Sequence, residues 1–210
     1  MKRGLSLDFY GTLLHLKRPV GAIWSAIAAD HGVHMDAATI EARFGTAFRR
    51  VRASGLRQHD DGRPFWRAVV ADVLGDVPPP LFEALYEHFA TLDDWTLAPD
   101  AIEVLTVLRA EEWGVAVLSN GDERVHRLVY AVGLTPVVDA VVLAGDVKAD
   151  KPDPRVFQAV CARLGVAPQA LVHVGDDPIA DGRGARDAGA RAIVWGIDVA
   201  SFPDLRSALQ

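Results

Sequence analysis

Residues 171–181 read Leu171-Val172-His173-Val174-Gly175-Asp176-Asp177-Pro178-Ile179-Ala180-Asp181. A short apolar run ends at a glycine, and carboxylates follow at once. The run is too short for an ordinary helix and is bounded by a turn, which marks a buried parallel strand. Asp176, Asp177 and Asp181 then stand at its carboxyl end, the edge at which open α/β sheets bind ligands.

The same texture recurs elsewhere in the chain. Gly4-Leu5-Ser6-Leu7, Val115-Ala116-Val117-Leu118, Ala140-Val141-Val142-Leu143 and Arg191-Ala192-Ile193-Val194-Trp195 read as further strands. Helical stripes lie between them: Ile102, Leu105 and Leu108; Val125, Leu128, Val129 and Val132; Val156, Phe157, Val160 and Leu164. Alternating strands and helices predict an α/β fold with a doubly wound, parallel, five-stranded Rossmann-like core. Residues 14–95 show no such strands. Four helical stripes occupy them, around Ile23, Phe44, Val69 and Leu85, punctuated by Gly62-Arg63-Pro64 and Pro78-Pro79-Pro80. The expected organisation is a core of residues 1–13 and 96–210 with a four-helix cap, 14–95, inserted after strand 1. Most of the cap aromatics read as packing. A helical unit entering after the first strand would cover the ligand edge and exclude water there.

The chain has 210 residues, 50% of them hydrophobic and 24% charged, so it can bury a substantial core. No apolar run approaches the roughly 20 residues of a membrane span, and no signal-peptide pattern opens the sequence. The lone Cys161 cannot close an intramolecular disulfide, so a cytoplasmic location is expected. A net charge of −6 without a basic run argues against nucleic acid and anionic membrane as partners. A small anionic substrate would need a local cation. The sequence is silent on oligomeric state.

Each expected strand ends in polar residues. Asp8-Phe9-Tyr10-Gly11-Thr12 offers a carboxylate suited to nucleophilic work beside a glycine turn. Ser119-Asn120-Gly121 fits either a helix cap or a phosphate-oxygen site. Lys151 is stiffened by Pro152 and Pro154. Asp176, Asp177 and Asp181 would face Asp8, and like charges so close call for a divalent cation; hard oxygen ligands favour Mg²⁺. His173 lies within a strand and reads as a packed core histidine, while His15 follows the first motif.

In this order and spacing, the four motifs resemble the haloacid dehalogenase-like (HAD) hydrolase superfamily, and the insertion after the first resembles its C1-capped subfamily. The resemblance covers nearly the whole chain. It implies a Mg²⁺-dependent phosphatase of small phosphate esters. Asp8 would be the nucleophile, and Thr12, Ser119 and Lys151 would hold phosphate oxygens, with Asn120 in the same motif. Asp8, the Tyr10 backbone carbonyl and Asp176 would hold Mg²⁺, with Asp177 and Asp181 in or near its outer coordination.

Tyr10 departs from the phosphatase pattern, which places a second aspartate there as general acid and base. Tyrosine, with an ordinary pKa near 10, is a poor substitute at neutral pH. The expected substrates are therefore aryl or acyl phosphates, whose leaving groups need little protonation. The 2-haloacid dehalogenases of the same superfamily carry Asp-X-Tyr-Gly-Thr, need no metal, and typically lack this fourth motif. That alternative requires an arginine near Asp8, and Arg43, Arg49, Arg50, Arg52, Arg57, Arg63 and Arg67 are the cap candidates. A weakly catalytic HAD-like binding module is the third reading.

Overall fold

In chain order the elements are β1 (Arg3–Leu7), β2 (Leu14–Leu16), α1 (Val20–Asp30), α2 (Ala37–Ala53), α3 (Arg63–Leu74), α4 (Pro79–His88) and β3 (Trp95–Leu97). There follow α5 (Ala101–Ala110), β4 (Trp113–Ser119), α6 (Arg124–Ala131), β5 (Ala140–Leu143), α7 (Ala144–Val147) and α8 (Pro154–Leu164). The chain closes with β6 (Leu171–Gly175), α9 (Gly184–Asp187), β7 (Arg191–Val194) and α10 (Phe202–Leu209). The structure is a computed structural model and describes residues 3–210; Met1 and Lys2, at the head of the expected first segment, lie outside the described residues.

The five expected strands form one parallel sheet in the order β5-β4-β1-β6-β7. Alternate residues pack its two faces. Leu5, Leu7, Val115, Val117 and Val174 join the layer holding α5, α6 and α10. Ala116, Leu118 and Leu171 meet Val156, Phe157 and Val160 of α8 on the other face. Helix α8 starts where the local chemistry directs: the Asp153 side chain accepts from the Arg155 N–H at 2.9 Å, Pro154 fills the first turn, and Gly165 ends the helix at φ 66°. Leu7 pairs in register with both Val117 and Val174, so β1, β4 and β6 end side by side and place Asp8, Asn120 and Asp176 at one edge.

Two readings need correction. Residues 14–95 are not free of strands, because β2 pairs antiparallel with β3, Leu14 opposite Leu97 and Leu16 opposite Trp95. Three-residue strands leave too little alternation to detect, and the partner is remote in sequence. Ile102 is exposed, while Ala101, Val104, Leu105 and Leu108 are buried. Steps of three fall behind a helix of 3.6 residues per turn, which rotates Ile102 off the packed face.

Helices α1–α4 bury their own cluster, including Ile23, Trp24, Val69, Phe82 and Tyr86. The segment after α2 touches the sheet edge. The Lys148 ammonium binds Asp60 at 2.8 Å, the Glu123 N–H donates to the Asp60 carbonyl at 3.0 Å, and Trp66 Nε1 donates to Asp122 at 3.0 Å. Gly62 permits this approach, since a Cβ there would lie 2.5 Å from Asp122 Oδ2.

Candidate functional site

Asp8 is the first residue past β1, and its N–H donates to the Val174 carbonyl at 2.8 Å. The chain then turns through Gly11 at φ 87°. A Cβ on Gly11 would come within 2.5 Å of Asp176 Oδ2, so glycine lets the carboxylate of one strand end close on the loop of another. Thr12 follows, fully buried, and its Oγ1 has no hydrogen-bond partner among the described residues. His15 Nε2 lies 3.1 Å from the Thr12 carbonyl and donates to it, holding the loop from below.

Lys151 crosses under this loop. Its ammonium donates to Asp8 Oδ1 at 2.6 Å, to Asp181 Oδ1 at 2.6 Å and to the Leu118 carbonyl at 3.3 Å. Asn120 fixes the lysine backbone from both sides: its Oδ1 accepts from the Lys151 N–H at 2.7 Å and its Nδ2 donates to the Lys151 carbonyl at 3.2 Å. Asn120 is thus a positioning residue. Burial disfavours the lysine charge, but Asp8 and Asp181 outweigh it and raise its pKa.

Asp8 and Asp181 share one ammonium and respond in opposite directions. Burial pushes the Asp8 carboxyl up to about 6, against the pull of Lys151, and the Asp181 charge adds to the rise. Burial would raise Asp181 as well, but Lys151 and the hydrogen bond from His173 hold it well below the ordinary carboxylate range. Extra donors explain the difference. Asp181 accepts from His173 Nε2 at 3.0 Å and from the Asp177 N–H at 3.0 Å in addition to Lys151. Burial lowers the His173 pKa, leaving a neutral ring. With Nε2–H directed to a carboxylate, Nδ1 must accept from Ser6 Oγ at 2.8 Å. His173 is the packed core histidine expected, in edge contact with Phe157, yet it also serves the site. Ser6 was invisible in sequence, because a serine inside a strand carries no signal of a partner so far along the chain.

Asp8, Asp176 and Asp181 present carboxylate oxygens within 4.8 Å of one another. Burial, then the neighbouring Asp181 charge, raises the Asp176 carboxyl. Among the described residues three carboxylates face one ammonium, a deficit of two positive charges, and the donors are all hard oxygens. This set fits Mg²⁺. Both Asp181 oxygens already accept hydrogen bonds, so Asp8 and Asp176 are the side chains best placed to hold the ion, while Asp181 holds Lys151 and the Asp177 N–H. Asp177 does not join. Its Oδ1 accepts from the Ile179 and Ala180 N–H groups at 2.7 and 2.9 Å, capping the π-helical turn Pro178–Arg183. The expectation that all three carboxylates of this motif face Asp8 is thereby corrected: the cap geometry turns Asp177 away.

Ser119 Oγ accepts from the Gly121 N–H at 3.0 Å, which forms the turn beyond β4. A Cβ on Gly121 would lie 2.9 Å from the Tyr10 ring and 3.1 Å from Ser119 Oγ, so the ring packs over this turn. Burial, then the Asp122 charge, pushes the Tyr10 phenol above its ordinary range. Tyr10 therefore stays neutral and is a weaker acid than free tyrosine.

The cap arginines are engaged elsewhere. Arg50 pairs with Asp72 at 2.7 Å, Arg63 with Glu83 at 3.0 Å and Arg67 with Glu83 at 3.5 Å. Arg43 donates to the Val73 carbonyl and Arg49 to Thr46. Arg52 and Arg57 meet Asp150 at 3.6 and 3.1 Å, and Arg52 also donates to the Lys151 carbonyl at 3.2 Å. These two touch the backbone beside the site, and none of the seven has a contact with Asp8 among the described residues.

A family model described as haloacid dehalogenase-like hydrolase matches residues 2–189. The chain is 32% identical over 203 residues to haloacid dehalogenase-like hydrolase domain-containing protein 3 of Mus musculus, spanning 91% of this chain and 81% of that protein. It is 37% identical over 154 residues to a phosphoserine phosphatase of Thermus thermophilus, spanning 68% of this chain and 61% of the relative. A solved dehalogenase structure superposes with a TM-score of 0.73 at 25% identity, covering 98% of this chain and 96% of the other.

Proposed function

This chain belongs to the haloacid dehalogenase-like hydrolases and is a hydrolase; from that premise, we propose that it is a Mg²⁺-dependent phosphatase of small phosphate esters, acting through Asp8. One observation carries the reading: Asp8, Asp176 and Asp181 converge within 4.8 Å, and among the described residues the one ammonium bound there is that of Lys151, paired with Asp8 and Asp181. A dication answers that charge deficit. A haloacid carboxylate without one would enter a field of its own sign.

The chemistry follows from the residues. Lys151 holds Asp8 at Oδ1, fixing the direction in which the other oxygen points. That oxygen attacks phosphorus, the bond from phosphorus to the ester oxygen breaks, and the ester oxygen leaves with its electron pair. Water then attacks the aspartyl-phosphate, releasing inorganic phosphate and restoring Asp8. The Thr12 hydroxyl, buried without a partner, supplies a donor for a phosphate oxygen. The Ser119 hydroxyl, which accepts from the Gly121 N–H and keeps its own proton to donate, supplies another. Mg²⁺, when bound by Asp8 and Asp176, supplies positive charge to the phosphoryl oxygens. Positioning and electrostatics carry most of the barrier reduction in such transfers. Segment 14–95 acts as the cap. Its Arg52, Arg57 and His59 meet Asp150, next to the catalytic lysine, and so fix how it covers the edge.

Tyr10 favours a second reading, 2-haloacid dehalogenation, because halide departs without a proton. The engagement of the seven cap arginines counts against it. Rapid quench with acetyl phosphate tests the proposal. A phosphoryl mass increase on the peptide carrying Asp8, absent in Asp8→Asn, is expected; unmodified peptide during turnover refutes it.

A further inference from the structure

A cavity of about 250 Å³ is lined from all four helices of the helical segment, with Tyr10 and Trp95 also in its wall. Asp8, Lys151 and Asp176 do not line it. Tyr10 does, two residues after the nucleophile, so the cavity abuts the catalytic loop without containing it. Its walls are mostly aromatic, with Trp24, Phe48, Trp66 and Tyr86 among them. For scale, a dry apolar cavity of about 150 Å³ accepts benzene.

One polar feature limits what fits. Arg124 lines the cavity, but Asp122 binds it through two hydrogen bonds at 2.8 and 2.7 Å, and Arg124 lies over the Tyr86 ring at 3.8 Å. Its charge is spent inside the wall and offers nothing to a second anion.

We infer that this cavity receives the organic part of the substrate: an uncharged, ring-sized apolar group. The assignment rests on the phosphatase reading for the phosphoryl half and on the cavity for the rest. It selects aryl over polyol esters. It also selects against phosphoserine, whose ammonium and carboxylate would be stripped of water against aromatic rings.

Two cavity-filling variants provide the test. Val20→Phe sits at the half-buried first residue of α1, and Gln58→Phe sits in a loop, so each adds a ring to the wall without altering a fully buried position. Binding of 1-naphthol is measured by calorimetry, and kcat/KM is compared for 1-naphthyl phosphate and acetyl phosphate. At least one filled variant should weaken naphthol binding about tenfold or more and lower the naphthyl-to-acetyl ratio to match. Acetyl phosphate turnover with naphthol binding absent, or unaffected by both filled variants, overturns the assignment and leaves the phosphatase reading intact. Naphthol binding that the variants abolish, without phosphate release from any ester, supports the apolar subsite and refutes the phosphatase reading instead.

Discussion

His173 donates its Nε2–H to Asp181 at 3.0 Å, and both side chains are buried. This bond decides how a crowded site holds its charge. Asp181 remains ionised because histidine and lysine both serve it, and Asp8, sharing the same lysine, takes up the strain.

The sign of the resulting pH dependence can be worked out for the metal-free protein. Folding raises the Asp8 carboxyl from 3.8 to about 6, so the folded chain binds the extra proton between those values. The destabilisation is absent below pH 3.8 and complete above about 6. Asp181 is shifted downward and contributes stability above its unfolded pKa, lost as pH falls through its folded value. With chelator at about pH 7.5, Asp8→Asn should be more stable than wild type by on the order of 2–3 kcal/mol, and the gap should shrink toward about pH 4. Denaturant titration across pH measures it; a wild type that is the more stable at about pH 7.5 contradicts the Asp8 assignment.

Lys151→Met should be damaging twice over. It leaves Asp8 and Asp181 facing each other without a counter-charge, a loss of roughly 3–5 kcal/mol. Turnover should fall by at least about 10²–10³-fold. Thermal unfolding and kinetics on one preparation separate the two effects, and a variant that keeps wild-type kcat sets Lys151 outside the machinery.

Thr12→Val should move stability and activity in opposite directions. The hydroxyl is buried and has no partner among the described residues, so its removal should leave stability unchanged or raise it by about 1 kcal/mol. If that hydroxyl waits for a phosphate oxygen, kcat/KM should fall about tenfold. Equal activity in both forms would show that the orphan donor has another use.

Asp176 and Asp177 are adjacent and should behave differently. Asp177→Ala should cost about 1 kcal/mol, the value of a lost helix cap, with Mg²⁺ affinity nearly unchanged. Asp176→Ala should weaken Mg²⁺ binding more than about tenfold. Calorimetric Mg²⁺ titration of the two variants distinguishes them; equal losses would restore Asp177 to the ion.

The sheet was legible because its strands are short apolar runs bounded by turn residues, and the ends of β1, β4 and β6 bring Asp8, Ser119 and Asp176 to one edge; Lys151, which follows α7, was legible only through its motif. Asp177 was misplaced because an aspartate before proline reads alike as a ligand and as a cap; only the N–H groups of Ile179 and Ala180 decide. Strands β2 and β3 escaped because three residues carry almost no period. The cavity escaped for a deeper reason. Helical stripes around Trp24, Phe48 and Trp66 state which faces turn inward, while the space left between those faces depends on how four helices meet. The link between His173 and Ser6 likewise exists only once β1 and β6 lie side by side.

The most direct test is phosphate release from a panel of aryl and acyl phosphates, with Mg²⁺ and with chelator, for wild type and Asp8→Asn. Release that requires both the ion and Asp8 is the predicted result. Release that persists in chelator or in Asp8→Asn, or none from any ester while chloride appears from 2-chloropropionate, would contradict it.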